Sequence, residues 1–416
     1  MKKKIVVRGP CLTQSGYGEH ARMVLRALRT REDLFDIYIV PLGWGQTGWL
    51  SDTSEFRQWM DSKIMETQHY LATKQPFDIS FQVTIPNEWE KIAGTNIGVC
   101  AGIETTKVAP IWLQKANMVD KVVVVSEHAK WGFENTEYDA VDQYGNEAKL
   151  KLTTPIEVVG YPVRDIVEED KFEIELDYDY NYLVVGQWGP RKNLENLIKW
   201  WLEECWEDEV GLILKTSTRK NNLLDRHITA NRVASIASSV GLDEEERKCK
   251  IYLLHGDLSE SEMKSLYNLE RVCSMITTTH GEGFGLPLFE FAQTGKPIVA
   301  PNWSGYLDFL TVDGKPHFAT VNYDINPIQE QAIWDGVLQK DSMWCFPHEG
   351  SFKQRVRQVR KSSKWLDRSE ALKENILTQF SQENQYKKFI DAVHREEVFE
   401  MSEWLQELES KIVEFE

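Results

Sequence analysis

The chain has 416 residues, of which 42% are hydrophobic and 27% are charged, a composition that fits a soluble protein with two or more domain cores. Its formal net charge of −17 argues against a broad nucleic-acid-binding surface, because such surfaces are normally basic. No apolar run approaches the roughly 20 residues of a membrane span, and the first residues lack the apolar stretch of a signal peptide, so we expect a cytoplasmic protein. The six scattered cysteines form no CxxC pair or Cys/His cluster, so we expect reduced thiols and no structural metal.

Predicted strands and helices alternate along the whole chain. In the first half, helices are predicted at residues 19–30 and 54–71, and strands at residues 4–8, 36–41, 77–83, 97–101, 121–126 and 156–159. In the second half, helices are predicted at residues 193–204, 259–269 and 288–294, and strands at residues 182–185, 211–216, 250–254, 273–278 and 297–300. Such alternation argues for parallel sheets that are covered by helices on both faces.

Two series of this kind predict two doubly wound α/β domains. The boundary is expected near Gly160-Tyr161-Pro162, followed by an acidic linker at residues 165–179. We assign residues 1–165 to the N-terminal domain, 166–385 to the C-terminal domain and 386–416 to a C-terminal acidic helix. Ligands of doubly wound sheets bind beyond the carboxyl ends of the strands, so two facing domains would form a cleft.

Three further segments lie outside this strand and helix alternation or have two interpretations. Residues 323–351 have no regular pattern, which predicts an insertion or a long loop. The acidic C-terminal helix has an apolar stripe that packs either on its own chain or in the coiled coil of a homodimer. Five cations at helical spacing form either a solvated helix face or a phosphate-contacting ridge, and they are Lys353, Arg357, Arg360, Lys361 and Lys364.

The most informative segment is the glycine-rich stretch HGEGFGLPLFE, residues 280–290. A buried strand is predicted before it, and Pro287 opens a helical pattern within it. Backbone N–H groups of such a loop can hold phosphate or another anion. Glu282 and Glu290 add hydrogen-bond acceptors, so a ligand with both hydroxyls and phosphate, such as a nucleotide sugar, is predicted. The alternative is a surface carboxylate pair favoured by the helix dipole.

Two further loops follow the first predicted strand of each half. Arg191 and Lys192 are adjacent cations that suit a diphosphate, and the alternative is an exposed pair at a loop end. Gly16 and Gly18 lie where a phosphate or substrate contact is usual. The third glycine of a dinucleotide-binding fingerprint is missing, and no P-loop motif is present.

Taken in this order and spacing, residues 186–193, 255–259, 282–290 and 295–300 resemble the C-terminal half of the group 1 glycosyltransferases, family four, which have the GT-B fold. Residues 15–18 and 122–126 resemble the N-terminal half more loosely. The resemblance implies two Rossmann-like domains facing a cleft, the first for the acceptor and the second for a nucleotide sugar. It also implies retaining transfer of a sugar to an acceptor hydroxyl, with no bound metal and no cofactor besides the donor.

The resemblance also implies roles for individual residues. Arg191 and Lys192 would neutralise the leaving diphosphate. Glu282 would contact the donor sugar, and Glu290 would hold the ribose hydroxyls. Further donor contacts are implied for Gly16, Tyr17, Gly18, His255, Gly256, Gly283, Phe284, Gly285 and Leu286.

Two departures from the family pattern affect these assignments. Gln187 stands where the family often has a cation, and residues 101–107 contain no histidine where many members have one. Glu104 is the candidate to replace that histidine and to orient the acceptor hydroxyl, and the alternative is a helix-capping carboxylate. His280 is a second residue that could reach the cleft.

The sequence does not select the acceptor. A polysaccharide, a protein, a small metabolite and a hydroxymethylated DNA base all fit the predicted chemistry. The N-terminal tryptophans either stack on such a ligand or belong to the core, and they are Trp44, Trp49, Trp89 and Trp112. The alternative functions are a non-catalytic subunit that binds a nucleotide sugar and a sugar-nucleotide epimerase of the same fold.

Overall fold

The computed structural model describes residues 2–45, 47–141, 144–166 and 172–394. Two six-stranded parallel sheets form two domains, which confirms the predicted fold class. Alternate residues of one strand enter different cores, since Val123 joins one hydrophobic cluster and Val122 and Val124 join another. In the second sheet, Leu183 likewise joins a different cluster from Tyr182 and Val184, so each sheet is covered on both faces, as the alternating pattern predicts.

The N-terminal domain contains strands β1 (Lys3–Gly9), β2 (Phe35–Pro41), β3 (Phe77–Val83), β4 (Ala93–Cys100), β5 (Lys121–Val124), β6 (Tyr138–Val141), β7 (Glu147–Leu150) and β8 (Ile156–Val158). Its helices are α1 (Gly16–Arg29), α2 (Glu55–Ala72), α3 (Pro110–Ala116) and α4 (Glu127–Glu134), with a 3₁₀ turn at Pro86–Glu88. The parallel sheet has the order β2-β1-β3-β4-β5-β8, and β6 and β7 form a separate hairpin.

The C-terminal domain contains strands β9 (Asn181–Val185), β10 (Gly211–Lys215), β11 (Lys250–Leu254), β12 (Val272–Ile276), β13 (Ile298–Pro301), β14 (Thr311–Val312), β15 (Lys315–Pro316), β16 (Ala319–Val321), β17 (Tyr323–Pro327) and β18 (Met343–Pro347). The helices that follow β8 are α5 (Leu194–Cys205), α6 (Leu223–Ser239), α7 (Glu260–Asn268), α8 (Leu286–Ala292), α9 (Leu307–Leu310), α10 (Glu349–Lys361), α11 (Lys364–Gln379) and α12 (Gln382–Val393). Two 3₁₀ turns lie at Pro190–Lys192 and Glu330–Ala332. The parallel sheet has the order β11-β10-β9-β12-β13-β16.

Serine residues set the starts of several helices that follow cleft-facing loops. Ser15 accepts a hydrogen bond from the backbone of α1, and Ser126 does the same for α4. Ser259 and Glu262 form a complete capping box at the start of α7. These caps satisfy backbone N–H groups that a helix leaves unpaired, so each loop ends at a defined residue.

The last described helix, α12, returns from the C-terminal domain to the N-terminal domain. Tyr386, Phe389 and Ile390 belong to the same core cluster as β1 and α1, and the ring centroids of Phe389 and Phe81 are 5.9 Å apart. Most of the predicted acidic helix, residues 395–416, lies outside the described residues. Its apolar stripe and the homodimer alternative therefore stay predictions.

The prediction of irregular structure at residues 323–351 was wrong, because the segment contains an antiparallel hairpin of β17 and β18. Pro327 pairs with Met343 and Pro347 pairs with Tyr323, so each proline lies at the end of its strand. Proline is tolerated there because no ladder N–H is needed. The two prolines made these short strands difficult to recognise in the sequence.

The connection between β17 and β18 reaches across to the N-terminal domain. Asn87 donates a side-chain hydrogen bond to the Gly336 carbonyl at 3.1 Å, and the Thr106 backbone donates to the Met343 carbonyl at 2.8 Å. Val337 is buried in the cluster that contains Trp112. This connection thus bridges the two domains.

The predicted basic ridge is largely neutralised within the C-terminal domain. Lys353 pairs with Glu203 at 2.7 Å. Arg357 pairs with Glu204 at 2.6 Å, and Arg360 pairs with Asp208, which follows α5, at 2.5 Å. These contacts favour the helix-face interpretation over a phosphate-contacting ridge.

The described part of the chain contains no helix that is both long and apolar enough to cross a membrane. Within the same residues, no group of three or more His, Cys, Asp or Glu side chains is arranged to hold a metal ion. All six cysteines are free, and five of them are buried.

Candidate functional site

The candidate site lies at the carboxyl ends of β9 and β12, between which the strand order of the C-terminal sheet reverses. Such a reversal leaves a crevice where doubly wound sheets bind ligands. The loop after β9 and the loop after β12 are tied together by hydrogen bonds. The His280 backbone donates to the Arg191 carbonyl at 2.8 Å, and Thr278 Oγ1 donates to the Asn193 carbonyl at 3.0 Å. The two predicted ligand-binding loops therefore form one surface.

Glu282 lies between two cations on this surface. Its Oε1 accepts a hydrogen bond from Lys192 Nζ and its Oε2 accepts one from Arg191 Nη1, both at 2.6 Å. Thr279 Oγ1 also donates to Oε1 at 3.1 Å, and the Glu282 backbone N–H donates to Ser304 Oγ at 2.9 Å. The residue is only 8% exposed. Three of the predicted catalytic residues are thus in direct contact.

The charges of this cluster determine its protonation. Burial by itself would raise the pKa of Glu282, but Arg191 and Lys192 outweigh burial and lower the pKa to about 2. Burial also lowers the pKa of Lys192, and Glu282 only partly opposes that effect. Glu282 is therefore a carboxylate throughout the physiological pH range, fixed by two cations.

The N-terminal domain adds Glu104 to the cluster, since its Oε1 lies 3.3 Å from Arg191 Nε. The two domains touch closely at this point. A Cβ atom at position 283 would lie 2.4 Å from the Ala101 carbonyl oxygen, so only glycine fits there. Ser126 Oγ donates to the Gly283 carbonyl at 2.6 Å. Glycine at position 283 is therefore required by the close contact of the two domains, in addition to the donor contact that is predicted for it.

Glu290, on α8, belongs to a second charged cluster. Its carboxylate accepts hydrogen bonds from Arg164 Nη2 at 2.8 Å and from Tyr267 Oη at 3.1 Å. Arg164 follows the domain boundary and also pairs with Glu260 at 2.5 Å and with Glu19 of α1 at 3.5 Å. Burial raises the pKa of Glu290, and Arg164 and Tyr267 oppose it only in part.

A cavity of about 330 Å³ lies beside Glu290. Its walls come from residues 161–166 near the domain boundary, from α7 and from α8. A volume of this order is at the lower end of the range for small-molecule sites. The cavity gives Glu290 a concave setting, whereas the alternative of a surface pair requires open solvent.

His255 and Gly256 follow β11 and precede the first cavity-lining residue of that loop, Leu258. The His255 ring is paired with Asp225 at 2.8 Å. Gly256 has a φ of +113°, which favours glycine, and its carbonyl accepts a hydrogen bond from Lys215. The structure therefore places these two residues next to the cavity wall and outside its lining.

The first loop of the N-terminal domain gives its predicted residues different roles. A Cβ at Gly18 would lie 2.2 Å from the Thr13 carbonyl oxygen, so this glycine is required by the loop itself. Gly16 has no neighbouring atom within 4 Å of such a Cβ. Tyr17 Oη accepts a hydrogen bond from the Ala101 backbone at 3.2 Å, and its ring lies 4.4 Å from that of Trp44. Of the three, Gly16 has the open surroundings that a ligand needs.

The residues that lead into α8 are mostly structural in their side chains. Phe284 is buried, with its ring 5.0 Å from those of Tyr161 and Phe309. Gly285 caps the helix with a φ of +92°, and α8 begins at Leu286. The donor contacts predicted for Phe284, Gly285 and Leu286 would therefore be made by their backbone N–H groups.

His280 does not reach the cleft. Its ring is buried and stacked on Trp344 at 5.0 Å, and Nδ1 lies 2.6 Å from the Cys345 carbonyl. Burial lowers the pKa of His280. The histidine therefore anchors the β17–β18 hairpin to the glycine-rich loop.

Several residues of these clusters could not be identified from sequence patterns. Arg164 lies between the predicted domain boundary and the acidic linker, and Tyr267 lies in a helix that shows only an ordinary amphipathic pattern. Their contact with Glu290 arises only when α7, α8 and the residues after β8 are packed together. Thr279 was accessible to sequence reasoning, since it is a polar residue directly before the glycine-rich stretch.

Comparison with known proteins finds likeness at the level of the fold. No protein-family model matches the sequence, and no curated protein is matched by it. A sucrose-phosphate synthase from Thermosynechococcus elongatus is similar in structure with a TM-score of 0.58 and 10% identity, over 99% of this chain and 100% of that chain. A glycosyltransferase from Rickettsia africae has a TM-score of 0.58 and 13% identity, over 95% and 100% of the two chains.

A third solved structure, HepE from Anabaena in complex with UDP and glucose, has a TM-score of 0.56 and 13% identity, over 94% of this chain and 99% of that chain. The three likenesses extend over nearly the full length of each chain, so they include both domains and their connection. This chain has the GT-B fold, with two Rossmann-like domains that face each other across a cleft.

Proposed function

We propose that this chain is a retaining glycosyltransferase of the family that its motifs resemble, and that it transfers a hexose or pentose from a nucleotide diphosphate sugar to a hydroxyl group. The observation that carries the proposal is the contact of Arg191 and Lys192 with Glu282 in the loop before α8, with Glu290 and a cavity on that helix. The fold is shared with a glycosyltransferase from Rickettsia africae and with a protein solved in complex with UDP and glucose.

The donor would lie along α8. Its nucleoside would occupy the cavity, where the Glu290 carboxylate would accept hydrogen bonds from the ribose hydroxyls in exchange for part of its contact with Arg164. Its diphosphate would face Arg191 and Lys192, and its sugar would lie against Glu282. A nucleotide sugar combines hydroxyls and phosphates in this order, which matches the order of the charged groups.

The chemistry would consist of one substitution at the anomeric carbon. The acceptor oxygen forms a bond to that carbon on the face from which the diphosphate leaves, and the acceptor proton passes to a leaving phosphate oxygen. Arg191 and Lys192 would stabilise the charge that develops on the diphosphate, which is the kind of electrostatic effect that lowers barriers most. The proposal assigns this neutralisation to the two side chains and requires no metal ion or further cofactor.

The contact between the two domains would complete the site. Glu104 is paired with Arg191 and stands on the acceptor side of the cluster. When a diphosphate pairs with Arg191 in place of Glu104, the Glu104 carboxylate becomes free to accept a hydrogen bond from the acceptor hydroxyl and to orient it. Positioning of this kind converts a bimolecular reaction into an effectively intramolecular one.

The acceptor classes that fit the sequence remain a polysaccharide, a protein, a small metabolite or a hydroxymethylated DNA base. The cations that would support a nucleic-acid acceptor are engaged with acids of the same domain, which gives that class no support. We retain cytoplasmic localisation as part of the proposal.

Donor specificity and turnover can be tested together. The protein is incubated with uridine-, guanosine- and adenosine-diphosphate sugars, with and without acceptors, and the released nucleoside diphosphate is measured. We expect one donor to raise the melting temperature and to be consumed faster when an acceptor is present. The anomeric configuration of the product, read by NMR, should equal that of the donor. Failure of every donor to bind would overturn the function, and an inverted product would overturn retention.

The second candidate function is a non-catalytic subunit that binds the nucleotide sugar. The observation that favours it is Gln187, which replaces a cation in the loop after β9. In the assay above, this candidate requires a donor-dependent rise in melting temperature without release of diphosphate under any condition.

A further inference from the structure

Four aromatic side chains from both domains meet at the cleft beside the candidate site. His128 and Trp131 lie on α4, Trp303 follows β13, and Tyr323 begins β17. The Trp303 ring is edge-on to His128, with 5.0 Å between centroids and 76° between planes. It lies 6.5 Å from Trp131 and 5.9 Å from Tyr323. We call these four residues the cleft aromatic cluster.

The cleft aromatic cluster adjoins the residues assigned to the transfer. Trp303 precedes Ser304, whose Oγ accepts a hydrogen bond from the Glu282 backbone at 2.9 Å. The His128 ring lies beside the Glu104 backbone. A molecule held by the cluster would therefore lie next to the backbone segments that carry Glu104 and Glu282.

Two buried polar atoms of the cluster lack a hydrogen-bond partner, His128 Nε2 and Trp303 Nε1. Burial lowers the pKa of His128 to about 4, so the ring is neutral near pH 7. A neutral imidazole has one nitrogen that donates and one that accepts, and the Glu104 backbone engages the donating side. The free nitrogen then accepts, whereas the indole N–H of Trp303 donates. A hydroxyl satisfies both atoms, because it donates and accepts at once.

Trp131 provides an open aromatic face next to these two atoms. Its side chain is 41% exposed, and its ring is stacked on His128 at 6.1 Å with 25° between the planes. The C–H face of a pyranose ring packs on such a surface while the hydroxyls at its edge remain free for hydrogen bonds. An exposed aromatic face beside a paired donor and acceptor is thus complementary to a sugar ring.

We infer that the cleft aromatic cluster is a binding subsite for a saccharide, and hence that the acceptor of the proposed transfer is a carbohydrate. The acceptor ring lies on Trp131, and one of its hydroxyls bridges His128 and Trp303. A second hydroxyl faces Glu104 and the donor. This inference rests on the proposed function for the role of acceptor, but the subsite itself binds sugar without a donor.

Saccharide binding is tested first on the full chain without any donor. Methyl α-glucoside, methyl α-galactoside, methyl α-mannoside and maltose are the probes, and glycerol is the control that has hydroxyls but no ring face. Saturation-transfer NMR should show contact with the ring protons of at least one probe and none with glycerol. Absence of binding by all four probes would overturn the inference, and transfer to a protein or DNA acceptor would replace it.

Two variants locate the bound saccharide, and a third serves as a matched control. Trp131→Ala should weaken binding about tenfold, since the stacking surface is lost. Trp303→Phe keeps an aromatic ring at the position but removes the N–H, and it should weaken binding about fivefold. Trp201→Phe removes another buried indole N–H without a partner, in the core of the C-terminal domain, and should leave binding unchanged. Equal affinity in all three variants would place the saccharide elsewhere.

The role as acceptor is tested separately by diphosphate release. With the donor found above, the bound saccharide should accelerate release, and Trp131→Ala should raise its KM without changing the KM of the donor. Saccharide binding without acceleration would retain the subsite and reject its role as acceptor. Absence of donor binding would reject the proposed function and leave the NMR result to decide on the subsite.

Discussion

Glu282 and Glu290 stand eight positions apart at the two ends of one glycine-rich segment, both paired with an arginine, yet their pKa values shift in opposite directions. Glu282 has Arg191 and Lys192 to itself, apart from the contact of Arg191 with Glu104. Glu290 has only Arg164, which it shares with two further glutamates. Burial disfavours both carboxylates, and the number of cations decides which of them is stabilised as an anion.

The difference suits two roles in one donor site. A carboxylate fixed by two cations is a rigid part of the framework, so Glu282 and its partners keep their arrangement when the diphosphate leaves. A carboxylate with too little compensation gains from new hydrogen bonds, so Glu290 is suited to accept hydroxyl groups of a ligand. Substitutions at each end should therefore have different consequences.

The largest effect is expected from Lys192→Ala, which removes one of the two cations on Glu282. Loss of one preorganised charge near a leaving group costs about 100- to 1,000-fold in kcat. Diphosphate release under donor saturation measures it. The matched control is Lys353→Ala, a lysine paired with Glu203 away from the cleft, which should retain normal turnover. Normal turnover of Lys192→Ala would remove the proposed assignment.

Glu282→Gln should have the next largest effect, here on stability. Two cations lose their compensating charge, and breaking a buried pair in this way costs about 3 kcal/mol of unfolding free energy. Glu290→Gln should change stability by less than about 1 kcal/mol, because burial already disfavours its charge. Urea unfolding of the two variants at pH 7 gives the comparison. Equal losses would show that the two clusters do not differ as described.

Acid should weaken the Glu282 cluster within a defined range of pH. The pKa of Glu282 falls from an ordinary 4.5 to about 2 in the folded chain. Its contribution is thus fully present above pH 4.5 and is lost as the pH falls towards 2, by about 2 kcal/mol at pH 3. The wild-type chain should therefore lose more stability than Glu282→Gln between pH 5 and pH 3. Parallel pH profiles of the two chains would contradict the lowered pKa.

The smallest effect is expected on donor affinity in Glu290→Gln. An amide replaces a charged hydrogen-bond acceptor for the ribose, which should weaken donor binding about tenfold. Calorimetric titration with the donor measures this change, and kcat should remain within about threefold because Glu290 is remote from the bond that breaks. A large fall in kcat at unchanged affinity would move Glu290 from binding to chemistry.

The fold was within reach of the sequence because each domain repeats the same alternation. The predicted strand at residues 211–216 agrees with β10 to within one residue, and the order of the elements alone implies parallel sheets. The strand, glycine-rich loop and helix at residues 272–292 were also predictable, since an apolar run precedes the glycines and Pro287 lies in the first turn of α8. The short β17–β18 hairpin was not predicted, because a proline ends each of its strands.

Contacts between distant segments were beyond sequence reasoning. The pair of Glu104 with Arg191 depends on how closely the two domains approach, and no local pattern encodes that distance. The same holds for the pair of Arg164 with Glu290, because Arg164 lies near the domain boundary and Glu290 lies on α8, far from it in the sequence. Gly18 is the opposite case, in which a sequence pattern suggested a ligand contact that the structure does not require. The glycine is explained by the Thr13 carbonyl oxygen, which leaves no room for a Cβ atom.

The return of α12 to the N-terminal domain has a consequence for synthesis of the chain on the ribosome. Phe389 completes a core whose other members lie almost entirely within the first 160 residues. A nascent chain must carry that unfinished core until more than 200 further residues have been translated and the segment through Val393 has emerged. We expect the first domain to reach its native packing late, after the second domain has already formed from consecutive residues.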